Sequence, residues 1–267
     1  MIQERPPAVA GTFYPGQAAA LERLVSDLLA EAPTPPQGGN APKALIAPHA
    51  GFMYSGSVAA AAFARLAPAR DRIRRVVLLG PAHYVPFRGL AVSGAAAFRT
   101  PLGSIPVDPA AVRTALALPG VRTLDPAHER EHSLETQLPF LQLALEEVSL
   151  VPLVVGQADD GEVAAVLEAL WGGPETLVVV SSDLSHFLDQ GSARERDART
   201  ARAIEGRSPE AVGREDACGF LPLRGLLRIA GERAARIETL SLATSGDTRG
   251  PVERVVGYGA FSLEETA

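Results

Sequence analysis

Four short runs that are apolar from end to end constrain this chain more than any other feature. They are KALIAP (43–48), RVVLLGP (75–81), SLVPLVVG (149–156) and TLVVVSS (176–182). A half-exposed strand alternates apolar with polar residues, whereas a strand covered on both faces does not. Helical spacing fills the gaps, at 17–32, 57–66, 108–117, 133–147, 160–170, 190–205 and 220–231. Two further strands are predicted at 236–244 and 255–263, and PTPPQGGNAP (33–42) reads as a loop or short linker. The alternation predicts an α/β protein, a three-layer sandwich whose mainly parallel central sheet carries helices on both faces. The sequence shows no internal repeat or composition break, so residues 1–267 read as a single domain.

Charge and cysteine use narrow the function. The formal charge is −6 and no Lys/Arg run is long enough to track a phosphate backbone, so nucleic acid is not an expected partner. Cys218 is the only cysteine, which fits a reducing compartment and predicts a cytoplasmic protein. The start MIQERPPAVAG lacks a signal-peptide layout, and no apolar stretch reaches the roughly 20 residues of a membrane span.

The five histidines are His49, His83, His128, His132 and His186. His49 directly follows KALIAP, His83 lies shortly after RVVLLG, and His186 shortly after VVVSS. Open parallel sheets bind ligands outside the carboxyl ends of their strands, where these three would fall. A loop histidine read alone is equally a polar surface residue. In APHAGFMYSG (47–56), Tyr54 can present a phenol to a ligand or simply pack, and Ser55 or Ser57 can cap the following helix. In SSDLSH (181–186), Ser182, Asp183 and His186 lie within one turn, and a carboxylate there can fix an imidazole tautomer. The alternative has Asp183 and Ser185 capping the next helix. Cys218 falls in EDACGFLPLRGLLRIAG, where Asp216 would cap a helix and the helix dipole would favour thiolate. A lone buried cysteine is otherwise a small apolar residue.

HEREH (128–132) satisfies the metalloprotease pattern H-E-x-x-H. That chemistry needs His128 and His132 on one face of a regular helix. The apolar rhythm begins only at Leu134, with Ser133 a plausible cap, so His128 is expected in a loop. The rhythm runs through Pro139, which should kink the helix.

Together these pieces resemble one family. AVAGTFYP (8–15), PHAGFMYSG (48–56), GPAH (80–83), EHSLETQLPFL (131–141), SSDLSH (181–186), CG (218–219) and VVGYGAFSL (255–263) run in the order found in the Memo family. That family is also described as protein B of the AmmeMemoRadiSam system. The resemblance implies a fold similar to class III extradiol, LigB-type dioxygenases, which are non-haem iron enzymes. It implies that His49, His83 and Cys218 bind iron(II) or copper, with zinc a further option. His186 would serve as acid/base, with Asp183 and Tyr54 beside it. His132, Glu135 and Ser182 would occupy pocket positions or contact the ligands from behind. The ligand would be a small molecule or peptide, with radical-SAM and AMMECR-type proteins as partners and no nucleotide cofactor. Two departures stand out. Phe13 replaces the tryptophan of eukaryotic members, and a thiolate stands where the dioxygenases use a carboxylate, which shifts metal preference toward softer ions. The activity implied is that of a dioxygenase-like oxidoreductase; a binding module without turnover and a metal-assisted hydrolase are the alternatives.

Overall fold

The computed structural model describes residues 4–34 and 41–265, so most of the linker predicted at 33–42 lies outside the described residues. The order begins β1 (Glu4–Arg5), α1 (Ala18–Glu31), β2 (Ala44–Ala47), α2 (Phe52–Phe63) and β3 (Arg75–Pro81). There follow β4 (Leu90–Val92), β5 (Ala97–Thr100), β6 (Gly103–Pro106), α3 (Pro109–Leu116), β7 (Val121–Thr123), α4 (Pro126–Glu129) and α5 (Leu138–Ala144). Next come β8 (Ser149–Val155), α6 (Asp160–Leu170), β9 (Thr176–Ser181), β10 (His186–Leu188) and α7 (Gln190–Glu205). Helix α8 (Phe220–Glu232) and strands β11 (Arg236–Thr244) and β12 (Val255–Glu264) complete it.

The main sheet runs β10-β12-β2-β9-β3-β8-β4-β7, with β11 on β12. The four apolar runs form its centre, where β2, β9, β3 and β8 are all parallel. Antiparallel neighbours flank them: β12 joins β2 and β4 joins β8. Strands β1, β5 and β6 form a second, small sheet. The continuous apolar runs have the expected cause. On β3, Val76 and Leu78 pack with residues of α1, α2 and α5, while Val77 and Leu79 pack with residues of α6 and α8. No helix among the described residues is long and apolar enough to cross a membrane.

Several elements differ from the sequence reading. Helix α2 starts at Phe52 and not near residue 57; neither serine caps it, and Ser55 Oγ donates to Ala50 O (3.0 Å). Its start is set from a distance: Phe52 N donates to Phe13 O (2.8 Å), and the Phe52 and Phe140 rings lie 4.9 Å apart. The helix predicted over 133–147 is shorter, because a 3-10 turn at Glu135–Gln137 precedes α5. Pro139 therefore sits in the first turn of α5, where its missing N–H costs nothing, and no kink arises. Ser133 does not cap; its hydroxyl donates to Pro81 O (3.0 Å). The strands absent from the sequence reading (β1, β4–β7 and β10) have two to four residues each, too few to show a period.

Two packing features have sharp consequences. Lys43, just before β2, is the only lysine in the chain. Its ammonium donates to Gly173 O and Thr176 O (both 2.8 Å) and to Trp171 O, the carbonyls that end α6 and lead into β9. A cation suits the negative end of a helix dipole. Burial pushes its pKa down to about 8. The second feature is Gly225, which lets α8 close on α6. A Cβ there would lie 2.3 Å from Val163 Cγ1. Gly225→Ala is expected to destabilise the fold by about 1–3 kcal/mol through overpacking, despite the better helix propensity of alanine. Urea unfolding checks this, and an unchanged or raised midpoint would refute it.

Candidate metal centre

His49 follows β2 and His83 follows β3; these strands lie on either side of β9 and run parallel to it, so their carboxyl ends open on the same edge of the sheet. Their ring centroids lie 5.1 Å apart. His132, in the loop between α4 and α5, stacks on His83 at 4.6 Å and meets His49 edge-on at 5.5 Å. One donor atom from each of the three lies within 4.8 Å of the others. Among the described residues, this is the group of histidine, cysteine and acidic side chains placed to hold a metal ion.

Hydrogen bonding fixes which nitrogens face inward. Ser181 Oγ donates to Ser133 O (2.5 Å), so toward His49 Nδ1 (2.9 Å) it can only accept. His49 thus carries its proton on Nδ1 and leaves Nε2 as a lone pair. His83 Nδ1 lies 2.8 Å from Glu131 Oε1, and a carboxylate only accepts, so His83 donates from Nδ1 and Nε2 is the nitrogen left for an ion. His132 Nδ1 is buried without a hydrogen-bond partner among the described residues. Burial pushes His49 down to about 3 and His132 down to about 4, and the neighbouring imidazoles push further the same way. The His49 and His132 rings are therefore neutral at neutral pH, the form that ligates metals. The donor set suits a divalent transition ion.

Glu131 holds this arrangement together. Burial works against its charge, yet the His83 ring and the amides of His83 (2.7 Å) and Ser133 (2.9 Å) pull its pKa down to about 2. It also accepts from the amide of His132 (2.9 Å). One carboxylate thus positions two of the three imidazoles. The sequence reading assigns no role to Glu131 and looks to Glu135 instead. In the structure Glu135 faces away from the imidazoles. It pairs with Arg5 and accepts from Ala8 N (2.7 Å), Val9 N (3.0 Å) and Tyr14 Oη (2.6 Å). Through these bonds it ties down the N-terminal segment.

The remaining expected residues lie close by. Cys218 Sγ is 3.2 Å from His49 Nε2 and accepts from Asp183 N (3.3 Å). It does not sit in a helical first turn, because α8 begins at Phe220 with Gly219 as its N-cap. Asp216 does not cap that helix; its carboxylate accepts from Gly213 N (2.9 Å). Burial and the nearby Asp183 push the Cys218 thiol up, the opposite of the expected thiolate bias. Ser182 Oγ accepts from Gly219 N (2.9 Å) and donates to Asp183 O (2.8 Å). Asp183 Oδ1 accepts from His49 N (2.7 Å), and burial raises its carboxyl pKa. Neither Asp183 nor Ser185 caps α7; the Asp189 side chain does so instead. His186 Nδ1 donates to Leu184 O (2.8 Å), and the ring stands outside the three-histidine group. Tyr54 lines a cavity of about 360 Å³ together with Phe13, His132, Asp183, Ser245 and Tyr258.

The HEREH pattern does not form a protease site. His128 lies in the single turn of α4 and His132 beyond its end, so the two share no helix face. His128 Nε2 is engaged by Ala91 O (3.0 Å). Asp125 does not cap α4 either; it accepts from Gly94 N (2.7 Å).

Comparison with known proteins gives a consistent result. The model of the family described as Memo-like protein matches residues 5–262. A MEMO1 family protein of Thermotoga maritima is 35% identical over 96% of this chain and 98% of its own. One from Aeropyrum pernix is 36% identical over 97% of this chain and 99% of its own. One from Methanobrevibacter smithii is 32% identical over 96% and 98%. Among solved structures, the uncharacterized protein JW3007 from Escherichia coli K12 matches with a TM-score of 0.52 and 14% identity. That match covers 80% of this chain and 98% of the other, and it is a likeness of fold.

Proposed function

Because the chain belongs to the Memo-like protein family, we propose that it is a metal-dependent, dioxygenase-like oxidoreductase acting on a small substrate in the cavity beside His132 and Asp183. One observation carries this reading. The Nδ1 atoms of His49 and His83 are both occupied from behind by Ser181 and Glu131, which leaves their Nε2 atoms as the ones available to an ion beside a third imidazole. Stability alone does not require this, since clustered imidazoles in an interior cost more than apolar side chains would.

His49, His83 and His132 would hold the ion, with the Cys218 sulfur close enough to replace or join His132. Iron(II) and copper are the ions proposed, with zinc compatible with the same donors. Bound there, iron or copper would supply Lewis acidity and one-electron redox capacity. The chain's own residues do the rest. Phe13 and Tyr258 supply aromatic walls to the cavity. The Asp183 carboxyl and Tyr54 phenol offer polar contacts to a ligand in an otherwise largely apolar lining. His186 donates from Nδ1 to Leu184 O, so Nε2 would be the nitrogen that accepts a proton from a ligand reaching it.

The test is metal stoichiometry after anaerobic loading. The double variant His49→Ala/His83→Ala is expected to lose stoichiometric uptake of iron(II) and copper while keeping the parental circular dichroism. Parental uptake in the folded double variant would sink the proposal. His132→Ala and Cys218→Ser, compared separately, report which of the two completes the donor set.

A further inference from the structure

Residues 183–188 carry His186, and three backbone anchors hold them. Leu184 N donates to Gly257 O (2.8 Å), Gly257 N donates to Ser185 O (2.8 Å), and Ser185 N donates to Asp197 Oδ1 (3.0 Å). Gly257 belongs to β12 and Asp197 to α7, so the segment is clamped between two elements. Just beyond the anchors the backbone is strained. Pairing of β10 with β12 is irregular between His186 and Leu188, and Phe187 has φ 63°. Such a conformation costs on the order of 1–3 kcal/mol for a bulky residue and persists only where its surroundings impose it. Within this turn, His186 Nδ1 donates to Leu184 O (2.8 Å).

Asp197 is an unusual anchor. It is 3% exposed, and its Oδ2 has no hydrogen-bond partner among the described residues. A half-satisfied carboxyl in an interior costs stability, so stability does not account for it. The opposing strand makes room for it: a Cβ on Gly257 would lie 1.8 Å from Asp197 Oδ2. A glycine on one element and a buried acid on another are thus fitted to each other at Ser185, the residue before His186.

We infer that Asp197 is a positioning residue: by clamping Ser185 it holds the strained turn, so that His186 presents a single tautomer with Nε2 unprotonated. This rests on the reading of His186 as the proton-accepting group. Without the clamp the turn relaxes, the Leu184 carbonyl leaves Nδ1, and the imidazole distributes its proton over both nitrogens. Asparagine retains the accepting oxygen and the shape; alanine retains neither.

The experiment is nitrogen NMR on the full chain with 15N-labelled histidine, without added metal, in alkaline buffer where imidazoles are neutral. His186→Gln identifies the resonance. The wild type is expected to show the Nδ1-protonated form alone, Asp197→Ala a mixture of tautomers, and Asp197→Asn the wild-type pattern. A folded Asp197→Ala protein with an unchanged single tautomer overturns the inference, as does a wild type that already shows the mixture. Should Asp197→Ala not fold, amide exchange in the wild type decides. A strongly protected Ser185 N–H supports the clamp, and exchange at the rate of an open chain refutes it. Tautomer and metal uptake are read separately, so failure of the metal proposal is visible apart from failure of this one.

Discussion

Glu135→Ala is expected to destabilise the fold by about 3–5 kcal/mol, the cost of stranding a buried partner charge. The carboxylate is fully buried. It meets the Arg5 guanidinium, two backbone amides and the Tyr14 hydroxyl. The remaining Arg5 nitrogens are committed to carbonyls of α4 and the loop after it, with Nε on His128 O (3.0 Å) and a terminal nitrogen on Glu131 O. Removing the carboxylate leaves a 5% exposed guanidinium without its counter-charge and frees the segment that carries Phe13. The Phe13 ring rests 4.9 Å from His132, so the loss should reach the centre as well. Urea unfolding gives the stability, and iron(II) affinity below the transition gives the coupling. A stability loss under about 1 kcal/mol, ordinary for an exposed ion pair, would show that the pair is not buried as described.

Acid is expected to unfold the metal-free chain between about pH 6.5 and pH 4. Burial holds His49, His128 and His132 neutral, with folded pKa values of about 3, 4 and 4 against 6.5 for the free side chain. Below pH 6.5 the unfolded chain takes up three protons that the folded chain does not, so stability falls as pH falls. At about 1.4 kcal/mol per proton per pH unit, one unit of acidification costs about 4 kcal/mol, a large share of the roughly 5–15 kcal/mol that holds a domain folded. Glu131 adds stability that is present above its free value of 4.5 and is lost as pH falls toward about 2. Asp183 and Asp197 act in the other direction, since burial raises both and the folded state takes up their protons first. Fluorescence of the single tryptophan, Trp171, across a pH series measures the midpoint. A midpoint below pH 4 would contradict three buried neutral imidazoles. Saturating metal should move the midpoint to lower pH, because a bound ion competes with protons for the same nitrogens.

The parts of this molecule that sequence conveys well share one property: they are local. Each central strand announces itself by its own uninterrupted apolar run, and His49 and His83 follow closely where two of those runs end. The less legible parts depend on contacts far apart in sequence. Glu131 and Glu135 stand four residues apart in EHSLE, and nothing local distinguishes them. One reaches His83, 48 residues upstream; the other reaches Arg5, 130 residues upstream. His132 reads as peripheral because it stands just before the helix expected over 133–147; the chain there is a loop, whose path is set by Glu131 accepting from the next two amides. Cys218 stands out by being unique, but the helix dipole expected at its sulfur is absent, since α8 begins two residues further on. Asp197 gives no signal, lying among arginines in the middle of α7.

The burial of Lys43 has a practical outcome. Every other basic side chain of the 267 residues, histidines aside, is an arginine, so a lysine-specific protease finds a single internal bond to cut. That bond joins Lys43 to the first residue of a central strand, and its ammonium is gripped by carbonyls at the end of α6. Cleavage therefore requires the sheet to open. When opening is fast relative to cutting, the rate at which the two fragments accumulate reports the fraction of molecules open. The intact protein thus carries its own one-site reporter of global opening, readable on a gel without any label.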